Sequence, residues 1–132
     1  MIDTQLIMPT EESIQLAAQL LQRGQLVGFP TETVYGLGAN ALDPEAALSI
    51  FAAKGRPADN PLIVHVAEPE QLEPLCHVNS TALKLMDVFC PGPLTMILPK
   101  KEIVPMEVTA GLNSVAVRIP SHPVARAMLK AC

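Results

Sequence analysis

The chain has 132 residues, 49% of them hydrophobic and 17% charged, a balance that fits one globular domain with its own core and excludes a disordered chain. Its formal net charge of -4 excludes a global basic field for holding nucleic acid, so any anion site has to be local. No uncharged stretch approaches the roughly 20 apolar residues of a membrane span, and the N-terminus lacks the basic start and apolar run of a signal peptide, so a cytoplasmic protein without membrane contact is expected.

In chain order, Thr10 is placed to cap a helix in which Ile14, Ala17, Ala18 and Leu21 recur at i, i+3, i+4 and i+7, with Gly24 as its stop. Leu26 to Phe29 reads as a short buried strand that stops at Pro30, and a polar loop with two glycines follows. Within that loop Gly36-Leu37-Gly38-Ala39-Asn40-Ala41 has the G-x-G-x-x-A form of a dinucleotide fingerprint, but the strand-turn-helix context fails. The glycines are expected to serve turn geometry or a close backbone approach instead. Asp43 caps a second helix with Pro44 at its first position, Ala47, Ile50 and Phe51 on one face, and Gly55 at its end. After the basic turn Lys54-Gly55-Arg56-Pro57, Pro61 opens a strand from Leu62 to Val66, in which Leu62, Val64 and Val66 point one way and Ile63 and His65 the other.

Two helical pieces follow, around Glu70 to Leu75 and Thr81 to Phe89, the second with Leu83, Met86 and Phe89 as its apolar stripe before Pro91-Gly92-Pro93 breaks the chain. Leu94 to Leu98 is the next strand, and the connection from Pro99 to Asn113 is long enough to hold a small strand of its own. Ser114 to Ile119 alternates. Val115, Val117 and Ile119 share one face, and Ser114, Ala116 and Arg118 share the other, so a hydroxyl and a guanidinium are presented together. Ser121 is expected to cap a last helix carrying Val124, Met128 and Ala131, which runs to Cys132 without a stop signal and so reads as cut. Cys76, Cys90 and Cys132 are odd in number and far apart, which suits small buried hydrophobes better than a zinc site or a disulfide framework.

No Walker-type phosphate loop, nucleophile elbow, H-E-x-x-H or paired Cys/His spacing occurs. Lys54, Arg56 and Asn60 emerge instead from a proline-stiffened turn, and two preorganised cations with an amide suit a polyphosphate. Singly, each candidate has an ordinary role: Lys54 offsets a helix dipole, His65 is a satisfied sheet histidine, and Arg118 is a paired arginine. If the strands of His65 and Arg118 share one sheet face, an imidazole and a cation meet a carboxylate or phosphate there.

Five short motifs, Pro30-Thr31-Glu32-Thr33-Val34-Tyr35-Gly36-Leu37, Lys54-Gly55-Arg56-Pro57, Asn60-Pro61-Leu62, Pro91-Gly92-Pro93-Leu94-Thr95 and Val117-Arg118-Ile119-Pro120, together resemble the YrdC-like family of threonylcarbamoyl-AMP synthases across nearly the whole chain. The resemblance implies an α/β fold, a twisted mixed sheet with flanking helices around a basic cavity. It implies a nucleotidyltransferase that makes threonylcarbamoyl-AMP and pyrophosphate from ATP, L-threonine and bicarbonate. A tRNA threonylcarbamoyl-transferase complex would act downstream, on the adenosine beside the anticodon. Carried over by position, L-threonine is expected near Thr33, His65 and Arg118, with Arg118 gripping its carboxylate through two parallel hydrogen bonds. ATP is expected near Lys54, Arg56, Asn60 and Ser114, with Lys54 and Arg56 as the catalytic cations, Mg²⁺ arriving with the nucleotide, and no tightly bound metal held by the protein.

Family members continue past the position of Cys132, so residues 1–132 are expected to form a partial, C-terminally truncated YrdC-like domain whose activity alone is open. Two other readings stand beside the synthase. One is an RNA-binding module of the same fold, against which the net charge, the single tyrosine and the absence of tryptophan weigh. The other is an inactive truncated remnant.

Overall fold

The computed structural model describes residues 3–55 and 60–132. The first helix, α1 (Glu11–Gln22), starts where Thr10 Oγ1 accepts the Ser13 N–H at 3.1 Å and Ser13 Oγ accepts the Thr10 N–H at 2.8 Å, a reciprocal cap that satisfies two orphan donors. Glu11 and Glu12 in its first turn complement the helix dipole, and Gly24, at φ 85°, ends the run. Ala17, Ala18 and Leu21 form its buried face, as the spacing predicts.

β1 (Val27–Pro30) pairs antiparallel with β2 (Tyr35–Gly38), in register from Val27 with Gly38 to Pro30 with Tyr35. The segment expected to be loop is therefore the second arm of a hairpin, and Thr31 to Val34 form its connection. Glycine has weak β-propensity and gives no alternation of apolar side chains, which hides this strand from a periodicity argument. The two glycines serve close approach, not positive φ: a Cβ at Gly38 would lie 2.9 Å from Cε1 of Phe29, and one at Gly36 would lie 3.2 Å from its Cζ. Phe29 is buried against Ala17, Leu21 and Met128 and packs edge-on to His65, so it yields only by giving up those contacts. Gly38→Ala is therefore expected to destabilise the fold by about 1–3 kcal/mol, the usual range for overpacking. Gly28→Ala is the control, since its Cβ would meet only Gly36 O at 3.8 Å. Urea midpoints of the two variants check this, and equal midpoints would contradict it.

α2 (Pro44–Lys54) is capped by Asp43 Oδ1, which accepts from the Glu45 and Ala46 N–H groups at 3.1 and 3.4 Å, and it ends at Gly55 in the left-handed conformation, φ 66°. The three-stranded sheet follows: β3 (Ile63–His65), β4 (Thr95–Pro99) and β5 (Ser114–Arg118), in the order β3-β5-β4 with β5 parallel to β3 and antiparallel to β4. One face of this mixed sheet carries Val64, Met96, Leu98, Val115 and Val117 into the main core with Leu72, Val104, Val108 and Ile119. The opposite face presents two rows across the strands: His65, Arg118 and Thr95, then Ile63, Ala116 and Ile97.

Several other expectations are corrected. Residues Pro69–Leu72 form one 3-10 turn where a helical piece is predicted over 70–75. α3 (Ser80–Phe89), capped by Asn79, buries Ala82 and Met86, while Leu83 and Phe89 are each 53% exposed. Ser80, Thr81, Lys84 and Asp87 form a polar stripe opposite Ala82 and Met86, and the apolar arc is wide enough that Leu83 and Phe89 at its flanks stay exposed. The connection after β4 holds a short helix, α4 (Met106–Thr109), instead of a strand, and it ends at Ala110 and Gly111 with φ 53° and 81°. α5 (Pro123–Ala131) is capped by His122, whose Nδ1 accepts the Val124 N–H at 3.1 Å, so Ser121 is not the cap. Its buried residues are Ala125 and Met128, which pack with α1 and Phe29 in a second cluster. Of the cysteines only Cys76 is fully buried; Cys90 is half-buried and Cys132 exposed. Among the described residues no helix is long and apolar enough to cross a membrane.

Candidate active site

A cavity of about 770 Å³ opens between the β1–β2 hairpin, the end of α2, the edge strand β3 with Arg118 of β5, and the end of α5. Its walls include Phe29, Tyr35, Lys54, His65, Arg118 and Met128. They are mostly apolar, which is what lets a few polar groups orient a ligand. Among the described wall residues the cations are Lys54 and Arg118, and none is a carboxylate, so the cavity is locally positive although the chain is acidic.

Arg118 is the most constrained of these groups. It ends β5, is 8% exposed, and reaches three separate segments. Nε donates to Gly92 O at 3.2 Å, Nη1 donates to Thr33 Oγ1 at 3.4 Å, and Nη2, fully enclosed, forms an ion pair with Glu32 Oε1 that lacks hydrogen-bond alignment. Burial lowers its pKa from the ordinary value, yet an arginine remains charged at neutral pH. Each of the three guanidinium nitrogens thus faces a protein partner, and Nη1, with a second N–H beyond the one on Thr33, can still donate to a ligand.

His65 sits beside Arg118 across the parallel β3/β5 pairing, its ring edge-on to Phe29 with centroids 5.9 Å apart and planes at 82°. Its Nδ1 lies 3.0 Å from Ile63 O. A carbonyl only accepts, so Nδ1 carries the proton and Nε2 is the free acceptor of the neutral ring. Burial pushes the His65 pKa down, with the backbone bond opposing. The unfolded chain therefore takes up this proton first on acidification, and the contribution of His65 to stability is full above about pH 6.5 and lost as pH falls through the lower folded value. Stability should thus drop as the pH falls below about 6.5, and His65→Asn should flatten that drop; identical pH slopes in denaturant melts would contradict this.

The other expected residues separate. Lys54, in the last turn of α2, is exposed and lines the cavity. Thr33, on the hairpin turn, touches Arg118 and lies 3.1 Å from Thr31 Oγ1, but is not on the wall, whereas Thr31 is. Asn60 is exposed and Ser114 half-buried, and neither lines the cavity. Ser114 starts β5 and Arg118 ends it, a separation of about 13 Å at the rise of a strand. Arg56 lies outside the described residues.

Spacing gave no sign of two further participants, Glu32 and Ser121. Glu32 Oε2 accepts both the N–H and the hydroxyl of Ser121, a contact between residues 89 apart in sequence. A glutamate on a turn and a serine before a helix each have bland local readings, so neither announces the other.

Comparison with known proteins places this geometry. The family model Sua5_yciO_yrdC, described as "Telomere recombination", matches residues 19–132. The chain is 55% identical over 121 residues to a threonylcarbamoyl-AMP synthase of Pyrococcus abyssi and 52% identical over 122 residues to one of Bacillus subtilis. Each match covers 91% of this chain but only 36% and 35% of those relatives, so the chain spans about a third of their length. A synthase of Alkalilimnicola ehrlichii matches at 37% identity, with 94% of this chain and 67% of that protein covered. Among solved structures, Pyrococcus abyssi Sua5 complexed with L-threonine superposes with a TM-score of 0.90 at 54% identity, covering 92% of this chain and 36% of that one. Escherichia coli YciO superposes at 0.82 with 26% identity, covering 92% and 60%. In sequence and in fold, the chain belongs to the Sua5–YciO–YrdC family.

Proposed function

We propose that this chain provides the catalytic cavity of an L-threonylcarbamoyladenylate synthase, which forms threonylcarbamoyl-AMP and pyrophosphate from L-threonine, bicarbonate and ATP. The observation that carries this reading is one cavity holding Lys54, His65 and Arg118 in a chain more than half identical to curated threonylcarbamoyl-AMP synthases over nine-tenths of its length. ATP enters as its magnesium complex, and a tRNA threonylcarbamoyl-transferase complex in the cytoplasm consumes the product.

The chemistry makes modest covalent demands. The deprotonated amine of threonine bonds to the carbon of bicarbonate, the bicarbonate C–OH bond breaks with loss of water, and an oxygen of the resulting carbamate attacks the α-phosphate. The bond from the α-phosphorus to the bridging oxygen then breaks, and pyrophosphate leaves with the electron pair. Positioning and cationic stabilisation of the leaving group supply most of such a rate. Lys54 stands at the α2 end of the cavity for the triphosphate, with Arg56 two residues on, and Asn60 and Ser114 complete the proposed nucleotide contacts. At the β5 end Nη1 of Arg118 meets the amino-acid carboxylate, and Thr33 and the Nε2 acceptor of His65 orient the rest. The apolar walls exclude water that would hydrolyse the adenylate.

The test is to incubate the protein with labelled bicarbonate, L-threonine and ATP and separate the nucleotides. A labelled adenylate that requires L-threonine supports the reading; label that never enters a nucleotide overturns it.

A further inference from the structure

We infer that Glu32 is the positioning residue of the carboxylate subsite, holding Arg118 from outside the cavity and tying the turn that carries Thr33 to the chain entering α5. The inference rests on the reaction proposed above and adds a residue to it. Neither Glu32 nor Ser121 is on the cavity wall, whereas Arg118 is, so the Glu32 carboxylate acts on a ligand only through the guanidinium.

Its two oxygens divide the work. Oε1 faces Nη2 of Arg118, and Oε2 takes the N–H and the hydroxyl of Ser121. The side chains of Arg118 and Glu32 retain 9% and 22% of their exposed surface, so the pair sits where ionic contacts are only weakly screened. Arg118 is thereby held from three directions, by Gly92 O at Nε, Thr33 at Nη1 and Glu32 at Nη2, which removes the freedom a long side chain would otherwise lose on binding a ligand. Thr33 depends on the same carboxylate, because the hairpin turn is anchored across the site by Glu32 and Ser121. Ser121 has no competing task as a cap, since His122 caps α5.

The pairing also divides the cavity electrostatically. Glu32 compensates Arg118, whereas Lys54 has no ion-pair partner among the described residues. The Lys54 end keeps its full charge for a polyphosphate, and the Arg118 end offers directed donors with little net charge, which suits a single carboxylate of a zwitterion.

Steady-state kinetics of the protein with Glu32→Gln and Ser121→Ala tests this. Glu32→Gln keeps the size of the side chain and removes its charge. The expected result is a rise of about tenfold or more in the KM for L-threonine, with the KM for ATP within about twofold of wild type and a lowered melting temperature, because the buried Arg118 loses its counter-charge. Ser121→Ala should move the threonine KM in the same direction by a smaller factor, and it decides the matter if Glu32→Gln fails to fold. An unchanged or lowered threonine KM in both variants overturns the inference, as does an equal rise for both substrates, which would mark a general structural role. If the wild-type protein itself shows no threonine-dependent turnover, the reaction proposed above fails and this inference fails with it.

Discussion

Arg118→Ala is expected to lower threonine-dependent turnover by about two decades while leaving the KM for ATP near its wild-type value. Removing a charge-assisted contact to a ligand costs roughly 1.5–3 kcal/mol, or one to two decades. The further loss comes from Thr33 and Glu32, which lose the group that organises them. The same substitution strands the Glu32 carboxylate. Breaking a buried pair costs about 3–5 kcal/mol, and the lower end applies because Glu32 is partly exposed. Arg118→Lys separates charge from shape. A lysine keeps the cation but cannot donate to Gly92 O, Thr33 and Glu32 from three fixed nitrogens, so the threonine KM should still rise about tenfold. Calorimetric titration with L-threonine checks both variants, and wild-type affinity in Arg118→Ala would remove Arg118 from the site.

Lys54→Ala is expected to raise the KM for ATP by about one to two decades through the loss of one charge-assisted phosphate contact. Its effect on the fold should be small. Lys54 is exposed in the last turn of α2, so the variant gives up a dipole interaction of about 0.3–1 kcal/mol and gains the better helix propensity of alanine. The threonine KM should stay near wild type, because Lys54, on α2, is assigned to the phosphates and Arg118, on β5, to the amino-acid carboxylate. Varying ATP in a pyrophosphate-release assay checks this. An unchanged ATP KM would exclude Lys54 from the nucleotide subsite.

The elements that local chemistry specifies were legible in the chain. Thr10, Asp43, Gly24 and Gly55 mark helix ends because caps and left-handed stops are decided by one or two residues. The alternation of Val115, Val117 and Ile119 against Ser114, Ala116 and Arg118 assigned the faces of β5 for a similar reason. β2 was hidden because its glycines, which make room for Phe29 across the hairpin, break the apolar alternation by which a strand is read. The inner face of α3 was blurred by an apolar arc wide enough to hold the exposed Leu83 and Phe89 beside the buried Ala82 and Met86. At the site, β3 and β5 pair so that His65 and Arg118 adjoin, as the shared-face argument requires. Glu32 and Ser121 escaped because their meaning lies in a contact 89 residues long, and such contacts exist only once the hairpin folds against the turn after β5.

The central claim is that one cavity joins a threonine subsite at Arg118 to a nucleotide subsite at Lys54. Pyrophosphate release by the protein, measured with all three substrates and then with each omitted in turn, tests it most directly. The account predicts release with ATP, bicarbonate and L-threonine together, near-background release when any one is missing, and loss of release in both Arg118→Ala and Lys54→Ala at low substrate. Release that persists without L-threonine or without bicarbonate, or that is untouched by both substitutions, would contradict it.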